Sequence, residues 1–555
     1  MRGFPGLLTV EKAAVLESNF KKGPFMLLKH RNGLWRCYAS EMAPSWVLDQ
    51  AGSFLQRDLA HRVMNLSRIR EVLWVELPGR EPVVLKRYLP VGFPRALWNT
   101  LRGTQWRREW DTSVLLSQMG VLAPKPLLFG ERLEKGMPTE GLVVSQAIQG
   151  ARSLTQELQG SKQKRSSFLE ALAVFLAQIH AMGILHRDLH GENLLVGKTP
   201  EGGPIFWLLD LHRVRIGRPL GDRQRKWNLA QILTSLRREL LAGEERLLME
   251  AYLGAYSAKD SCEPWLESIQ KTRAKMLSKH QRSRTRRCLK ESSGFARESL
   301  PGGRVIRKRD FPMEAVLKAL DQGRACQTSG DFKLLKLSGP TRVCELHFDL
   351  QGKAFSVCVK EHILRGPIWN LLKGILPSRA RRFWVGAWGM SVRDFRVPTP
   401  MAMWEVYAEG IFSSGVLMEL IQDGSRMDHV AASLGSDWPS RRLLIKELAF
   451  TLARMHSEGI FHRDLKATNL MVRKTQDKME ILFLDLEDIS FGKRVPRNKV
   501  LLNLAQLDAS LPESVGGFSR LRFLRTYLGK NHSKEEIRNL IQEVRRLSLQ
   551  RRAGA

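Results

Sequence analysis

The alternation of apolar and polar positions predicts a group of strands followed by long helices, and this group occurs twice. Residues 71–77 and 82–88 alternate with a period of two, which is typical of half-buried strands, and residues 342–350 and 354–360 do the same. Helical spacing follows at 106–119 and at 381–395. In each half, a second apolar strand pair and a long helix then lead to a polar loop.

A hairpin is predicted ahead of each group of strands. Asn32 and Gly33 lie between two apolar runs within residues 25–38, and Asn-Gly suits a tight turn with positive φ. A similar hairpin follows Phe295, with its turn at Gly302 and Gly303. Each half therefore begins with sheet and continues with helix.

The two halves repeat one another about 275 residues apart. The sequence N-L-A-Q at 228–231 returns at 503–506, Y-L-G at 252–254 returns at 527–529, and W-N-T-L-R-G at 98–103 resembles W-N-L-L-K-G at 369–374. A unit of this length is a whole domain rather than a solenoid repeat. We therefore predict an α+β fold of two tandem domains, 1–270 and 292–555, joined by a basic connecting segment, 271–291. Each domain is predicted to be a small sheet-rich lobe followed by a helical lobe.

Charge adds a preference for anionic partners. The net charge is +33 and the isoelectric point is near 10.3, so nucleic acid, an anionic membrane face and phosphorylated molecules are all candidate partners. The connecting segment itself has two interpretations, a solvated helix and linker or an anion-binding surface. Residues 1–20 lack the long apolar core of a signal peptide, and 169–185 contains Glu170, Gln178 and His180, so any membrane association is predicted to be peripheral.

Candidate chemistry lies in the two polar loops. They read H-R-D-L-H-G-E-N at 186–193 and H-R-D-L-K-A-T-N at 462–469, and both have the H-R-D-x-x-x-x-N form of a kinase catalytic loop. Asp188 and Asp464 are the predicted catalytic residues, because this Asp orients the attacking hydroxyl and accepts its proton. An Asp also ends a following apolar run in each half, where a kinase places a second metal ligand. The predicted metal ligands are Asn193, Asp210, Asn469 and Asp485.

A lysine closes one apolar strand in each half. Lys86 and Lys360 are predicted to hold the ATP phosphates, as the lysine of a V-A-I-K strand does. Glu109 is placed on the following helix to pair with Lys86, whereas Phe383 stands at that position in the second half. The second domain is therefore predicted to lack the pairing carboxylate. Neither half contains a G-x-G-x-x-G loop or a Phe-Gly after the strand-end Asp, which weighs against an ordinary protein kinase.

Several stretches together resemble the bacterial lipopolysaccharide core kinases, the family of heptose and 3-deoxy-D-manno-octulosonic acid (Kdo) kinases, here in tandem. They are L-K-R-Y at 85–88, R-E-W at 108–110, M-G-V-L-A-P at 119–124, V-P-T-P at 397–400 and the two loops. The resemblance implies a protein-kinase-like fold and phosphorylation of an alcohol group with ATP and Mg²⁺ as cofactors. It also implies a lipopolysaccharide core or lipid A-linked sugar acceptor, at the cytoplasmic face of the inner membrane. The complete residue set makes the first domain the expected active one.

Two other functions remain open on the sequence. One is a kinase of proteins or small molecules on the same fold, and the other is a pair of inactive kinase-like modules that form a basic scaffold. No RNA-binding or helix-turn-helix signature is present, so nucleic acid is the least favoured partner. The sequence does not indicate an oligomeric state.

An anionic membrane surface is a further predicted partner, because tryptophans and basic residues crowd the small lobes. The alternative is that the tryptophans pack inside the lobes. The residues concerned are Trp98, Trp106, Trp110, Trp369, Trp384 and Trp388, with Arg95, Arg102, Arg107, Arg108, Lys373, Arg379, Arg381 and Arg382.

Overall fold

The computed structural model describes residues 25–553 except 31–32, 42, 57–58, 68, 161–164, 257–260, 325–331, 351, 366–375, 436, 476–477 and 530–531. Contacts divide the chain into two units, Met1–Leu277 and Ser278–Ala555. This division falls within the segment 271–291. Residues 1–24, the predicted turn residue Asn32, and the segment 369–374 with Trp369 and Lys373 lie outside the described residues.

The small lobe of the first unit is built on one antiparallel sheet. Its strands are β1 (Phe25–His30), β2 (Gly33–Ala39), β3 (His61–Leu66), β4 (Arg70–Val75), β5 (Val83–Tyr88), β6 (Pro126–Glu134) and β7 (Met137–Gln146), in the order β1-β2-β6-β7-β5-β4-β3. The helices of this lobe are α1 (Trp46–Asp49), α2 (Ala51–Gln56), α3 (Phe93–Arg102) and α4 (Gln105–Gln118). The predicted hairpin is confirmed, since β1 pairs with β2 in a register that joins Phe25 to Tyr38.

Helix α4 carries a charged residue into the core of this lobe. The helix begins at Thr104, whose side chain accepts a hydrogen bond from the backbone N–H of Arg107. Trp106, Glu109 and Trp110 are buried and follow the spacing of one helical face. This face packs on the inner strands of the sheet, so Glu109 lies beneath β5.

The helical lobe of the first unit follows without interruption along the chain. Its helices are α5 (Leu154–Gly160), α6 (Arg165–Ala181), α7 (Asp222–Ser235) and α8 (Glu244–Tyr256); α9 (Cys262–Arg287) begins in this lobe and continues past Leu277, the last residue of the first unit. Its short strands are β8 (Arg152–Ser153), β9 (Ile184–His186), β10 (Leu194–Lys198), β11 (Pro204–Leu208) and β12 (Val214–Ile216), in sheets β11-β10-β8 and β12-β9. Apolar side chains of α6, α7 and α8 form the core of this lobe.

The second unit repeats the strand order of the first. Its large sheet contains β13 (Phe295–Leu300), β14 (Gly303–Lys308), β15 (Phe332–Ser338), β16 (Thr341–Leu350), β17 (Lys353–Arg365), β18 (Pro400–Ala408) and β19 (Ile411–Glu419), in the order β13-β14-β18-β19-β17-β16-β15. Five short strands follow: β20 (Gly424–Arg426), β21 (Ile460–His462), β22 (Leu470–Thr475), β23 (Lys478–Phe483) and β24 (Ile489–Phe491). The helices are α10 (Met313–Arg324), α11 (Arg379–Val392), α12 (Met427–Ser433), α13 (Trp438–Ser457), α14 (Arg497–Ser510), α15 (Gly517–Leu528) and α16 (Lys534–Ala553).

The predicted α+β organisation, a sheet-rich lobe followed by a helical lobe, is confirmed in both units. The interfacial interpretation of the tryptophans is wrong for Trp106, Trp110 and Trp384, which are buried because they fill the space between helix and sheet. Trp98 on α3 is 52% exposed. Among the described residues, the helices include none that is long and apolar enough to span a bilayer.

Candidate functional site

In the first unit, a buried histidine joins the predicted catalytic loop to the end of β11. The loop lies between β9 and β10, and the backbone N–H of Asp188 donates to His186 Nδ1 at 3.2 Å. His186 Nε2 lies 2.8 Å from the carbonyl oxygen of Leu209 and donates to it. Burial lowers the pKa of His186, so its ring is neutral and can accept at one nitrogen while it donates at the other. Asp188 is thereby fixed beside the strand end that carries Asp210.

Side chains of the repeated N-L-A-Q sequence donate hydrogen bonds to the backbone of the same loop. Asn228 on α7 donates to the carbonyl oxygen of His186 at 2.7 Å, and Gln231 donates to that of Arg187 at 2.9 Å. Asn228 Oδ1 in turn lies 3.1 Å from His180 Nε2, and His180 Nδ1 lies 2.8 Å from the hydroxyl of Tyr252. The two repeated motifs, N-L-A-Q and Y-L-G, therefore belong to one buried network that holds the catalytic loop. Their repetition was visible in the sequence, but this role was not.

The predicted ion pair between Lys86 and Glu109 is present. Lys86 Nζ contacts Glu109 Oε1, and the hydroxyl of Tyr88 donates to Glu109 Oε2 at 2.6 Å. Burial acts to raise the pKa of Glu109, but the Lys86 ammonium and the two hydrogen bonds outweigh it and hold the pKa below its ordinary value. The carboxylate is therefore ionised, and it fixes Lys86 at the centre of β5. Tyr88 was not identified from the sequence, although its position two residues after Lys86 places it on the same face of the strand.

Asp210 follows β11 in a left-handed conformation with φ of 56°. Its carboxylate oxygen Oδ1 lies 2.9 Å from Nη1 of Arg70 and 3.1 Å from Nδ1 of His212. Burial acts to raise the pKa of Asp210, but His212, Lys86 and Arg70 together hold the pKa well below its ordinary value. Asp210 is therefore a carboxylate at neutral pH. Neither Arg70 nor His212 was identified from the sequence.

The donor set of the first unit fits Mg²⁺. Asn193 donates its amide N–H to the carbonyl oxygen of Asp188 at 2.9 Å, which leaves its amide oxygen as the atom suited to a cation. The backbone N–H of Leu209 donates to the carbonyl oxygen of Asn193 at 2.9 Å, so Asn193 lies beside Asp210. An amide oxygen and a carboxylate are the hard oxygen ligands that Mg²⁺ prefers.

The second unit builds its catalytic loop in the same way. The backbone N–H of Asp464 donates to His462 Nδ1 at 3.3 Å, and Asn469 donates to the carbonyl oxygen of Asp464 at 2.9 Å. Asn503 and Gln506 donate to the two backbone carbonyls that precede Asp464, at 2.5 and 2.7 Å. The predicted residues Asp464 and Asn469 therefore stand in the arrangement of Asp188 and Asn193.

The lysine of the second unit has partners that the sequence interpretation missed. Phe383 does stand on α11 where the first unit has Glu109, and it is buried. The expectation that Lys360 lacks a carboxylate partner is nevertheless wrong. Lys360 Nζ lies 2.7 Å from Asp485 Oδ1 and 2.7 Å from Glu487 Oε1. Glu487 reaches the lysine from the turn that follows Asp485, whereas the carboxylate of the first unit comes from a helix.

Two segments of the chain match a known protein family. Residues 93–252 and 390–527, more than half of the chain, match the lipopolysaccharide kinase (Kdo/WaaP) family. The first segment contains the catalytic loop of the first unit, and the second contains that of the second unit.

Curated proteins match over shorter stretches. The human serine/threonine-protein kinase DCLK3 is 34% identical over 106 residues, which are 19% of this chain and 16% of that protein. The serine/threonine-protein kinase cds1 of Schizosaccharomyces pombe is 33% identical over 57 residues, 10% of this chain and 12% of that protein. The chain thus spans less than a fifth of the length of these relatives.

Solved structures with similar folds include WaaP in complex with acyl carrier protein. That structure has a TM-score of 0.33 and 17% identity, and it covers 44% of this chain and 98% of its own. The Rio2 kinase of Chaetomium thermophilum has a TM-score of 0.26 and 15% identity, and the match covers 50% of this chain and 86% of the Rio2 chain. The PknI kinase domain of Mycobacterium tuberculosis has a TM-score of 0.24 and 18% identity, and the match covers 38% of this chain and 94% of the PknI chain.

Proposed function

The chain belongs to the lipopolysaccharide kinase (Kdo/WaaP) family, and from this premise we propose that it transfers the γ-phosphoryl group of ATP to a sugar hydroxyl of the lipopolysaccharide inner core. The acceptor is a heptose or Kdo residue, and the first unit carries the activity. The observation that carries the proposal is the joint placement of Lys86, Glu109, Asp188, Asn193 and Asp210 in the first unit, within a family of lipopolysaccharide kinases.

Each residue has one task in the transfer. Lys86, held by Glu109, contacts the ATP phosphates and offsets their charge. Asp188 hydrogen-bonds the acceptor hydroxyl and accepts its proton while the acceptor oxygen bonds to the γ-phosphorus. The bond from the γ-phosphorus to the β–γ bridging oxygen breaks, and ADP leaves with that oxygen. Asn193 and Asp210 would hold Mg²⁺, which neutralises charge on the phosphate oxygens.

Exposure and charge suit Asp188 to this task. Its side chain is 40% exposed, and Arg213 Nη1 lies 3.7 Å from its Oδ2. A hydroxyl on a large acceptor can therefore reach Asp188 without entering the core. The nearby arginine adds positive charge, and an acceptor with phosphate groups is attracted to it.

Helix α3 gives the proposal a membrane-facing surface. Phe93, Leu97, Trp98 and Leu101 are exposed on this helix, which contains no acidic residue and carries Arg95 and Arg102. An apolar helix face with basic neighbours fits the anionic surface in which the acceptor lipid lies, and each basic side chain near such a surface adds about 1 kcal/mol. The bases of the second unit suit this task less well, because Arg382 Nη1 lies 3.1 Å from Asp488 Oδ1 and Arg379 Nε lies 3.8 Å from Glu487 Oε2.

The deciding experiment is transfer of labelled phosphate from ATP to purified lipopolysaccharide core, to lipid A precursors and to a generic protein, assayed side by side. Label in the core, lost on removal of Mg²⁺, supports the proposal. Label only in the protein would instead support a protein kinase. ATP binding without label in any acceptor would support an inactive scaffold.

Membrane contact has a separate test by flotation with vesicles. We expect binding to vesicles of phosphatidylcholine with phosphatidylglycerol, weak binding to phosphatidylcholine alone, and loss of binding with added salt, because exposed charges are screened over about 8 Å at physiological ionic strength. Leu101→Asn should weaken binding. Leu241→Asn is the matched control, since Leu241 is also exposed in the first unit, at 62% against 74% for Leu101. Equal binding to both vesicle types would contradict the assignment.

A further inference from the structure

The two units place the acidic residue of the site at different positions. Helices α4 and α11 each have 14 residues, and Glu109 and Phe383 occupy the same place in them. His212 and Glu487 each stand two residues after a strand-end Asp. The first unit thus has its acid on the helix and a histidine in the turn, while the second has an apolar residue on the helix and its acid in the turn.

Glu487 has the contacts of Glu109. In the first unit, Tyr88 lies two residues after the lysine and donates to Glu109 at 2.6 Å. In the second unit, His362 lies two residues after Lys360, and its Nε2 lies 2.8 Å from Glu487 Oε1. Each unit therefore has a lysine and a polar ring on one face of the same strand, β5 in the first unit and β17 in the second, and both groups bind one buried carboxylate. The other ring nitrogen of His362, Nδ1, lies 2.8 Å from Thr341 Oγ1, which fixes the ring.

A close helix–turn contact brings Glu487 into place. Gly386 on α11 lies so near the turn that an added Cβ would meet the carbonyl oxygen of Leu486 at 2.2 Å. The absence of a side chain at Gly386 therefore lets the turn approach the helix. Phe383, which is 2% exposed, fills the space that the helix carboxylate occupies in the first unit, and its ring centroid lies 5.8 Å from Lys360 Nζ.

The electrostatics of the second unit are those of a charged pair. Burial acts to raise the pKa of Glu487, but the hydrogen bond with His362 and the charge of Lys360 lower it to about 2. Burial acts to lower the pKa of Lys360, but Glu487 and Asp485 raise it above its ordinary value. With two carboxylate oxygens at 2.7 Å, Lys360 is a paired cation held in one place, and a fixed positive charge is what nucleotide phosphates require.

We propose that Glu487 is the positioning residue of the second unit, which holds Lys360 for nucleotide phosphates in place of a helix carboxylate, and that the second unit is a nucleotide site. The proposal rests on the use of ATP proposed above. It changes the expectation for this unit, because a lysine without a carboxylate partner would bind ATP weakly. Here the partner exists and comes from a different element.

The test uses calorimetry on the full chain with Lys86→Met, which disables the first site, titrated with the Mg²⁺ complex of a non-hydrolysable ATP analogue. Glu487→Gln should weaken binding by at least about tenfold, because the charged contact that fixes Lys360 is lost. Asp488→Asn is the matched control. Asp488 is the next residue and pairs with Arg382 on α11 rather than with Lys360. The affinity of Asp488→Asn for the ATP analogue should therefore stay within about twofold of the affinity without this substitution.

Two further measurements separate positioning from folding. Adenosine has no phosphates, so its affinity should be nearly unchanged in Glu487→Gln. The double variant Phe383→Glu with Glu487→His rebuilds the arrangement of the first unit and should restore most of the affinity for the ATP analogue. Absence of binding in the Lys86→Met chain, equal losses in Glu487→Gln and Asp488→Asn, or no recovery in the double variant would overturn the proposal. Because binding is measured without an acceptor, failure of lipopolysaccharide phosphorylation would leave this result unaffected.

Discussion

Replacement of Glu109 by Gln keeps the size of the side chain and removes one charge from a buried pair. The side chains of Glu109 and Lys86 are 6% and 16% exposed, so water cannot compensate for the loss. Removal of one partner from a buried pair costs about 3–5 kcal/mol. Asp210 also attracts Lys86, which places the expected cost near the lower end, about 3 kcal/mol. For a unit of this size, the melting temperature should fall by about 6–12 °C.

Scanning calorimetry of the full chain measures this loss as a shift in one of its unfolding transitions. Glu131→Gln is the matched control: Glu131 is buried in the same lobe, and burial raises its pKa, so a neutral amide there should cost less than about 1 kcal/mol. Equal shifts for the two variants, or no shift for Glu109→Gln, would refute the account of the Lys86–Glu109 pair.

The stability that the Lys86–Glu109 pair contributes depends on pH. The pKa of Glu109 is lower in the folded protein than in the unfolded chain, where it is about 4.3. Stability from the pair is therefore fully present above that pH and is lost as the pH falls and the carboxylate takes up a proton. The difference between wild type and Glu109→Gln should persist at neutral pH and decrease below about pH 4. A constant difference down to pH 3 would contradict this assignment.

Three further outcomes are expected. Asp188→Asn should abolish most phosphoryl transfer in a turnover assay of folded protein, because the hydroxyl loses its proton acceptor; retention of activity there with loss in Asp464→Asn would assign the chemistry to the second unit. Gly386→Ala should destabilise the second unit by about 1–3 kcal/mol in denaturant titrations, whereas Gly254→Ala on helix α8, with open space around it, should be neutral or stabilising. Burial lowers the pKa of His180 to about 4, so the stability that its neutral ring contributes is fully present above about pH 6.5 and decreases by about 3 kcal/mol between pH 6.5 and pH 4. The variant His180→Gln should lose this part of the dependence of the unfolding free energy on pH. An unchanged pH dependence in the variant would contradict the assignment.

Local patterns carried much of the fold in this chain. The hairpin ahead of each sheet, the strand that carries Lys86 and the helix that carries Glu109 follow from periodicity and turn residues alone. The seven-strand order did not follow, because pairing of β2 with β6 joins residues about 90 positions apart and leaves no local signal. The sequence left open whether Trp106 and Trp110 are buried for a related reason: burial depends on what packs against a helix, and helical spacing alone does not specify it.

The site was predictable where residues act through sequence neighbours. Asp188 and Asn193 belong to one loop, and the spacing of the loop sets their contact. Glu487 was missed because its contact with Lys360 spans more than 120 positions and depends on a tight approach between a helix and a turn. A signal was nevertheless present: at the position after Asp-Leu, the first repeat has His212 and the second has Glu487.

The origin of the lysine-binding carboxylate decides whether a kinase-like lobe can be switched off. Where the carboxylate belongs to a helix, outward rotation of that helix breaks the pair and silences the site, a route that many kinases use for control. In the second unit, Glu487 is part of the turn that also carries Asp485, so both carboxylates that contact Lys360 belong to one segment of the chain. Helix α11 contributes no carboxylate to that pair, so displacement of α11 would reach the pair only through the packing of Gly386 against Leu486. If the two proposals above hold, assembly of the second site would depend on the fold of one turn, whereas assembly of the first would depend on the position of α4 as well.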